Sequence, residues 1–204
     1  MAQIFSAPPY TFTPEQMGYI YASPTIAALL AYVSCYFTSD RIVLFLSRRN
    51  NSIYEPEFRI FLAIPVFFTG VPALLAYGYA TSSNPPLHWI VPSILYGLLT
   101  FAVVVSCITT YSYVLDAHRE VSVEMMVAVL LLKNFFAWGS TYYLPNWLAD
   151  VGAVRVFLTM GGIQAGICVL SVAVYVWGKR WRAMMERARL LQRMGLRPGK
   201  MAGK

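Results

Sequence analysis

Lys133 is a charged residue in the middle of an apolar stretch of the chain. A charge at the centre of a membrane-spanning helix costs about 2.5 to 3.5 kcal/mol on insertion scales, so such residues face a cavity, a partner or a solute. Three explanations stay open: an anionic solute, an acidic group on another domain or chain, or a lysine kept neutral by desolvation. We predict that Lys133 and the neighbouring Asn134 bind a solute, with a purely structural lysine as the alternative.

Gln164 is a second polar residue in an apolar stretch, on one helical stripe with Gly161 and Cys168. It could line the same cavity as Lys133, although a plain hydrogen bond between helices is the alternative. The segment 162–166 has glycine at both ends in the pattern G-x-x-x-G, which lets two membrane helices approach closely. We therefore predict Gln164 as a weaker solute-binding candidate and Gly162 and Gly166 as packing residues.

Residues for catalysis or metal binding are harder to find. An enzyme of this kind would need paired carboxylates inside the membrane, clustered histidines, or a nucleophile beside a base. The two histidines, His88 and His118, fall at opposite membrane faces in the topology derived below. We predict that the chain is not an enzyme and that it holds no metal and no cofactor.

The elements that position these residues must be membrane helices. Hydrophobic residues make up 58% of the chain and charged residues 12%, and the mean hydropathy is +0.55. A soluble domain carries roughly 25% charged residues. Charge-free stretches long enough to cross a bilayer predict an all-α polytopic transmembrane bundle with five spans, at about residues 17–37, 60–79, 89–113, 125–143 and 156–177.

The distribution of Lys and Arg predicts the orientation of these spans. The transmembrane region covers residues 1–178, and most basic residues lie in its loop 39–59 and in the tail 179–204. Basic residues near span ends accumulate in the cytoplasm, so we predict a cytoplasmic loop and tail and an N-terminus outside. The tail has the pattern of a basic amphipathic helix on anionic lipid. Its partner is thus expected to be membrane lipid, and no nucleic acid is expected.

The loop 39–59 contains a recognisable motif. Ser39-Asp40-Arg41 is followed by Arg48-Arg49-Asn50-Asn51 and then by Glu55-Pro56-Glu57-Phe58-Arg59. This series resembles the loop between helices eight and nine of fungal major facilitator superfamily transporters. Residues 4–24 resemble the segment leading into helix eight, residues 133–147 resemble helix eleven, and residues 160–168 resemble helix twelve.

The resemblance implies the C-terminal half of a twelve-helix transporter of the multidrug or polyamine type. Such proteins move small organic solutes by alternating access, and the resemblance implies proton coupling in the complete form and the plasma membrane as location. It also places Asp40 and Arg41 in a cytoplasmic gate that closes against the other half. Glu55, Glu57 and Arg59 would form an ionic cluster there, with a solvated surface network as the alternative.

Two other interpretations of the chain stay open. It could be a truncated fragment without transport activity, because five helices do not make the two-half architecture. It could also be a structural subunit of a membrane complex. The expected partners are a small solute and either a missing N-terminal half or a second membrane chain.

Overall fold

The computed structural model describes Phe5 and residues 11–51, 54–83, 87–117 and 121–187, without the side chains of Lys179 and residues 181–187. Five of its helical segments are long and apolar enough to cross a membrane. The predicted all-α bundle with five spans is therefore confirmed. Four of the five predicted spans fall within one of these segments, and the third, 89–113, begins one residue before Ile90.

The first span is a short helix, α1 (Pro14–Ile20), followed by α2 (Ala22–Arg49). Thr13 begins α1 with a capping box, in which its hydroxyl accepts from the Gln16 amide and the Gln16 side chain accepts from the Thr13 amide. Helix α2 continues to Arg49, through the first part of the segment 39–59 that was predicted to be a loop. Charged residues mark the edge of the lipid, but they are good helix formers and do not end a helix.

The second and third spans form a hairpin. A 3-10 helix (Pro56–Leu62) leads directly into α3 (Ala63–Ser82), and α4 (Ile90–Ala117) returns to the same membrane face. The two helices approach closely where a Cβ on Gly70 would lie 3.1 Å from the Ala102 Cβ. Helix α4 also packs on α2, where the Ser23 hydroxyl donates to the Ser93 carbonyl at 2.8 Å.

The fourth and fifth spans are α5 (Ser122–Val151) and α6 (Ala153–Arg187). Helix α6 packs on α3, with the Tyr77 and Phe157 ring centroids 4.9 Å apart. Together, α2, α3, α4, α6 and the 3-10 helix enclose the hydrophobic core, which contains Ala31, Cys35, Leu62, Val66, Ala102, Val105 and Cys168. By contrast, none of the residues of α5 is buried.

Gly162 and Gly166, predicted to be packing residues, make no close contact with the part of the chain that the structure describes. A Cβ added at either position would meet no atom of the described chain within 4 Å. The close contact is made instead by Gly161, where a Cβ would lie 2.9 Å from the Leu75 side chain. Adjacent helical residues point about 100° apart, so α3 meets the stripe of Gly161 and not that of its neighbour.

The predicted basic tail is described only in part. The backbone of α6 remains helical to Arg187. Residues 188–204 lie outside the described residues, so the binding of the tail to an anionic membrane surface stays a prediction.

Candidate gate and solute-binding groove

Arg59 is the centre of a polar cluster at the membrane face where α2 and α4 end. Its Nε donates a hydrogen bond to Oδ2 of Asp116, near the end of α4, and the two side chains are each about one-fifth exposed. The Tyr54 hydroxyl donates to the same Asp116 oxygen. Two donors thus converge on one half-buried carboxylate, and hydrogen bonds to a charged group are worth about 1.5 to 3 kcal/mol each.

The same guanidinium also reaches α2. Its Nη1 donates to the Ser39 hydroxyl at 3.0 Å and lies 3.8 Å from Oδ1 of Asp40. The Asp40 side chain is 79% exposed, so this ion pair is much weaker than the one with Asp116. Arg59 therefore ties α2, at a point almost three turns before its end, to the 3-10 helix and the end of α4, with Asp116 as its firm partner and Asp40 as a weaker one.

Tyr54 is kept in its neutral, donating form. Burial, followed by the hydrogen bond to Asp116, raises the pKa of Tyr54 above its ordinary value. Both effects disfavour the phenolate, because burial removes water from the negative charge and because that charge would face the Asp116 carboxylate. At neutral pH the cluster therefore retains both donors to Asp116.

The predicted gate residues do not all meet in this cluster. Asp40 and Arg59 are in contact, whereas Arg41 lines a separate groove on the outer side of α2. Glu57 is buried, with its carboxylate against Gly178 of α6, and Glu55 is half-buried. The structure thus brings together one predicted pair and separates Arg41 from it.

Asp116 and Tyr54 are members of the cluster that the sequence reasoning missed. A signal for Asp116 was available, because Arg59 and Asp116 are the two charges that bound the charge-free stretch containing the second and third spans. Two crossings return the chain to the same membrane face, which puts these opposite charges side by side. No comparable pattern marks Tyr54.

The predicted solute-binding residues lie in two places. Lys133 and Asn134 are exposed on α5, and Lys133 forms no ion pair with a described residue. Lys133 is about 17 Å along the helix from Ser122, at the rise of 1.5 Å per residue. Gln164 instead lines a groove of about 250 Å³ between α4 and α6, and Lys133 is not among the residues lining it.

The groove between α4 and α6 carries hydroxyl and amide groups and no charged residue, although most of its lining is apolar. The wall formed by α4 carries a hydroxyl stripe, which consists of Ser106, Thr109, Thr110 and Tyr113. The wall formed by α6 carries Gln164 and Ser171. The hydroxyls of Thr109 and Thr110 donate to carbonyls of their own helix at 2.8 and 2.9 Å, which leaves their oxygens as acceptors. The Gln164 amide nitrogen is 3.8 Å from the Cys168 sulfur, a weak contact.

The hydroxyl stripe was also missed, although its spacing could have identified it. Positions 106, 109, 110 and 113 recur at intervals of three and four residues, which places them on one face of a helix. In a span that is otherwise apolar, such a stripe indicates a face turned away from lipid. It lies across the groove from Gln164, an arrangement that depends on how α4 and α6 are placed around α3.

Comparison with known proteins places this arrangement in context. No protein-family model and no solved structure matches the chain. Among curated proteins, Protein HOL1 of Saccharomyces cerevisiae is 27% identical over 94% of the chain. The MFS transporter cpaT of Aspergillus oryzae is 28% identical over 85% of it, and the efflux pump vrtL of Penicillium aethiopicum is 27% identical over 88%.

These relatives are much longer than the chain, which covers 32%, 34% and 35% of their respective lengths. That coverage is consistent with the C-terminal half of a transporter. With five apolar helices and such relatives, the protein is an integral membrane protein. The resemblance indicated by the sequence motifs is confirmed: over most of its length, this chain is similar to fungal major facilitator superfamily transporters.

Proposed function

We propose that this chain forms part of a secondary transporter that moves small organic solutes across the plasma membrane by alternating access. The observation that carries the proposal is the similarity of most of the chain to proteins named as MFS transporters and efflux pumps. The five apolar helices fit a role in the membrane. The N-terminus would be outside and the C-terminus cytoplasmic, as the distribution of Lys and Arg favours.

In this proposal the Arg59 cluster is the cytoplasmic gate. The half-buried pair with Asp116 would hold the ends of α4 and the 3-10 helix together in every state. The exposed Asp40, held only at 3.8 Å, could exchange Arg59 for a partner in the other half of the transporter. A weak, solvent-exposed ion pair suits an exchange of this kind, because breaking it costs less than about 1 kcal/mol.

The solute would bind on the side of the molecule that Lys133 and Asn134 face. Helix α5 presents Lys133 without protein cover, so a solute path between this helix and another half would place the charge next to the substrate. An uncompensated cation at this depth favours an anionic solute, or a carboxylate of the other half that takes part in proton coupling. Gln164 and the hydroxyl stripe would offer hydrogen-bond acceptors to a solute in the groove between α4 and α6.

A transport assay with a matched pair of variants tests the proposal. The native protein that carries this sequence is purified and reconstituted in vesicles, and uptake of labelled organic anions, cations and neutral solutes is measured with and without a pH gradient. We expect gradient-dependent uptake that Lys133→Gln abolishes. Arg155→Gln removes the same charge near the start of α6 and should leave uptake unchanged.

Two results would overturn the proposal. The first is that no solute class is taken up by a folded, reconstituted protein, which would favour a structural subunit of a membrane complex. The second is that Lys133→Gln and Arg155→Gln have equal effects on uptake, which would remove Lys133 from the solute path.

A further inference from the structure

A second groove lies on the outer side of the bundle, between the last turns of α2 and the 3-10 helix. It has a volume of about 410 Å³, and its walls include Phe37, Arg41, Phe45, Leu46 and Phe61. Phe37, Phe45 and Phe61 are 55%, 58% and 41% exposed. Such exposed aromatic side chains are suited to contact with lipid, and Arg59 is not among the residues that line the groove.

Arg41 is the cation of this groove. Its side chain is exposed, and it forms no ion pair with any residue that the structure describes. The neighbouring Asp40 pairs with Arg59 and forms no ion pair with Arg41. The guanidinium thus stands over an apolar groove with its charge uncompensated.

Two more arginines extend this cationic rim toward the end of α2. Positions 37, 41, 45 and 49 recur at every fourth residue, and position 48 follows position 45 by three residues. This spacing places all five on one face of the helix. The Arg49 guanidinium lies over the Phe45 ring, 5.0 Å from its centroid. Arg48 is exposed on the same face. Phe37 therefore lies deepest on the stripe, and Phe45 lies between Arg41 and the outer arginines.

We propose that this groove is a binding site for an anionic phospholipid, which we call the α2 lipid site. The phosphate and the headgroup carboxylate would pair with Arg41 and the outer arginines, and an acyl chain would lie along Phe61 and Phe37. Arg41 follows the apolar span by a single turn of helix, which is the depth of the headgroups. An apolar groove with a cationic rim at that depth is complementary to a molecule with an anionic head and a hydrocarbon tail.

The apolar wall also continues beyond this groove. Phe61 also lines a third groove, of about 370 Å³, which lies between the start of α3 and α6. The remaining walls of this third groove are almost entirely apolar. One phospholipid could therefore place its two acyl chains on the two sides of Phe61. A soluble anion has no hydrocarbon to match this surface, which favours a lipid as the occupant.

Native mass spectrometry of the purified protein tests the α2 lipid site. The protein is incubated with dioleoylphosphatidylserine or dioleoylphosphatidylcholine, and the dissociation constant of the first bound lipid is measured. We expect tighter binding of phosphatidylserine, and we expect Arg41→Gln to weaken it about fivefold, since one basic residue near a membrane surface contributes about that factor. Arg41→Lys, which keeps the charge, should retain most of the preference.

Arg155→Gln is the matched control, because it removes one positive charge at the other end of the bundle and should not change the preference. The proposal is overturned if the protein binds the two lipids equally, or if Arg41→Gln and Arg155→Gln weaken binding to the same extent. It is also overturned if glycerophosphoserine, which has no acyl chains, displaces the bound lipid at equal concentration. That last result would identify a soluble anion as the ligand.

Discussion

Arg59 and Lys133 are two cations on apolar helices of the same chain, and they lie in opposite surroundings. Arg59 is held by Asp116, Ser39 and Asp40, and it closes one end of a packed bundle. Lys133 lies on α5, which has no buried residue and offers no described counter-ion. Arg59 thus finds its partners within the packed bundle, whereas α5 presents a charge that needs a solvent, a solute or a partner.

This contrast separates stability from function along the chain. Substitutions in the packed bundle should lower the free energy of unfolding, because they remove contacts that the chain itself completes. Substitutions on α5 should change transport and leave the free energy of unfolding almost constant. The predictions below test that division, in order of their expected effect on stability.

Asp116→Ala should have the largest effect, a loss of about 3 kcal/mol in the free energy of unfolding. It leaves the half-buried Arg59 guanidinium without its main counter-ion, and an uncompensated charge of that kind is strongly destabilising. Unfolding of the reconstituted protein in a denaturing detergent measures the loss. Asp150→Ala removes an exposed carboxylate near the end of α5 and serves as control. Equal losses in the two variants would contradict the difference between the packed bundle and α5.

Gly161→Leu and Gly162→Leu form a pair of adjacent substitutions with different expected outcomes. A side chain at position 161 would collide with Leu75, and overpacking of that kind costs about 1 to 3 kcal/mol. At position 162 a Cβ meets no described atom. The same unfolding assay should therefore show a loss for Gly161→Leu and little change for Gly162→Leu. The reverse order would mean that α6 packs through its G-x-x-x-G stripe.

Tyr54→Phe should cost about 1 kcal/mol at neutral pH, the net contribution of one hydrogen bond. The pKa of Tyr54 is raised in the folded protein, by burial and then by Asp116. The pKa of Tyr54 is thus higher in the folded protein than in the unfolded chain, where it is about 10. The neutral side chain stabilises the fold at pH values below the unfolded-state pKa, and this contribution is lost as the pH rises through the folded-state pKa. The stability difference between the wild type and Tyr54→Phe should thus be constant from neutral pH to about pH 10 and shrink above it. A difference that stays constant as the pH rises through the folded-state pKa of Tyr54 would contradict this assignment.

Lys133→Gln should have the smallest effect on stability, within about 0.5 kcal/mol. If Lys133 faced lipid in the assembled protein, its removal would stabilise the fold by about 2.5 to 3.5 kcal/mol. Unfolding of the native protein therefore distinguishes a cavity from lipid at this position. A stabilisation of the larger size would place α5 against the bilayer.

Sequence reasoning predicted the five spans because long apolar stretches report directly on the membrane. It predicted Arg59 from a motif, but it missed Asp116. An ion pair between residues far apart in the sequence depends on how the hairpin of α3 and α4 brings the chain back to the same membrane face. It allowed Gln164 to line the same cavity as Lys133, with a hydrogen bond between helices as the alternative, whereas Gln164 lines a groove with α4 and Lys133 lies on another helix. Which stripe of a helix packs inward is set by the neighbouring helices, and composition alone does not fix it.

The central claim is that the side of α5 bearing Lys133 and Asn134 lines an aqueous solute path in the assembled protein. The most direct measurement is the reaction of a cysteine at position 134 with a water-soluble maleimide, in native protein whose Cys35, Cys107 and Cys168 are replaced by alanine. Val169→Cys, on the exposed outer surface of α6, is the lipid-facing control. The account predicts that Asn134→Cys reacts much faster than Val169→Cys and that transported solute slows its reaction. Equally slow reactions at the two positions, unaffected by solute, would contradict it.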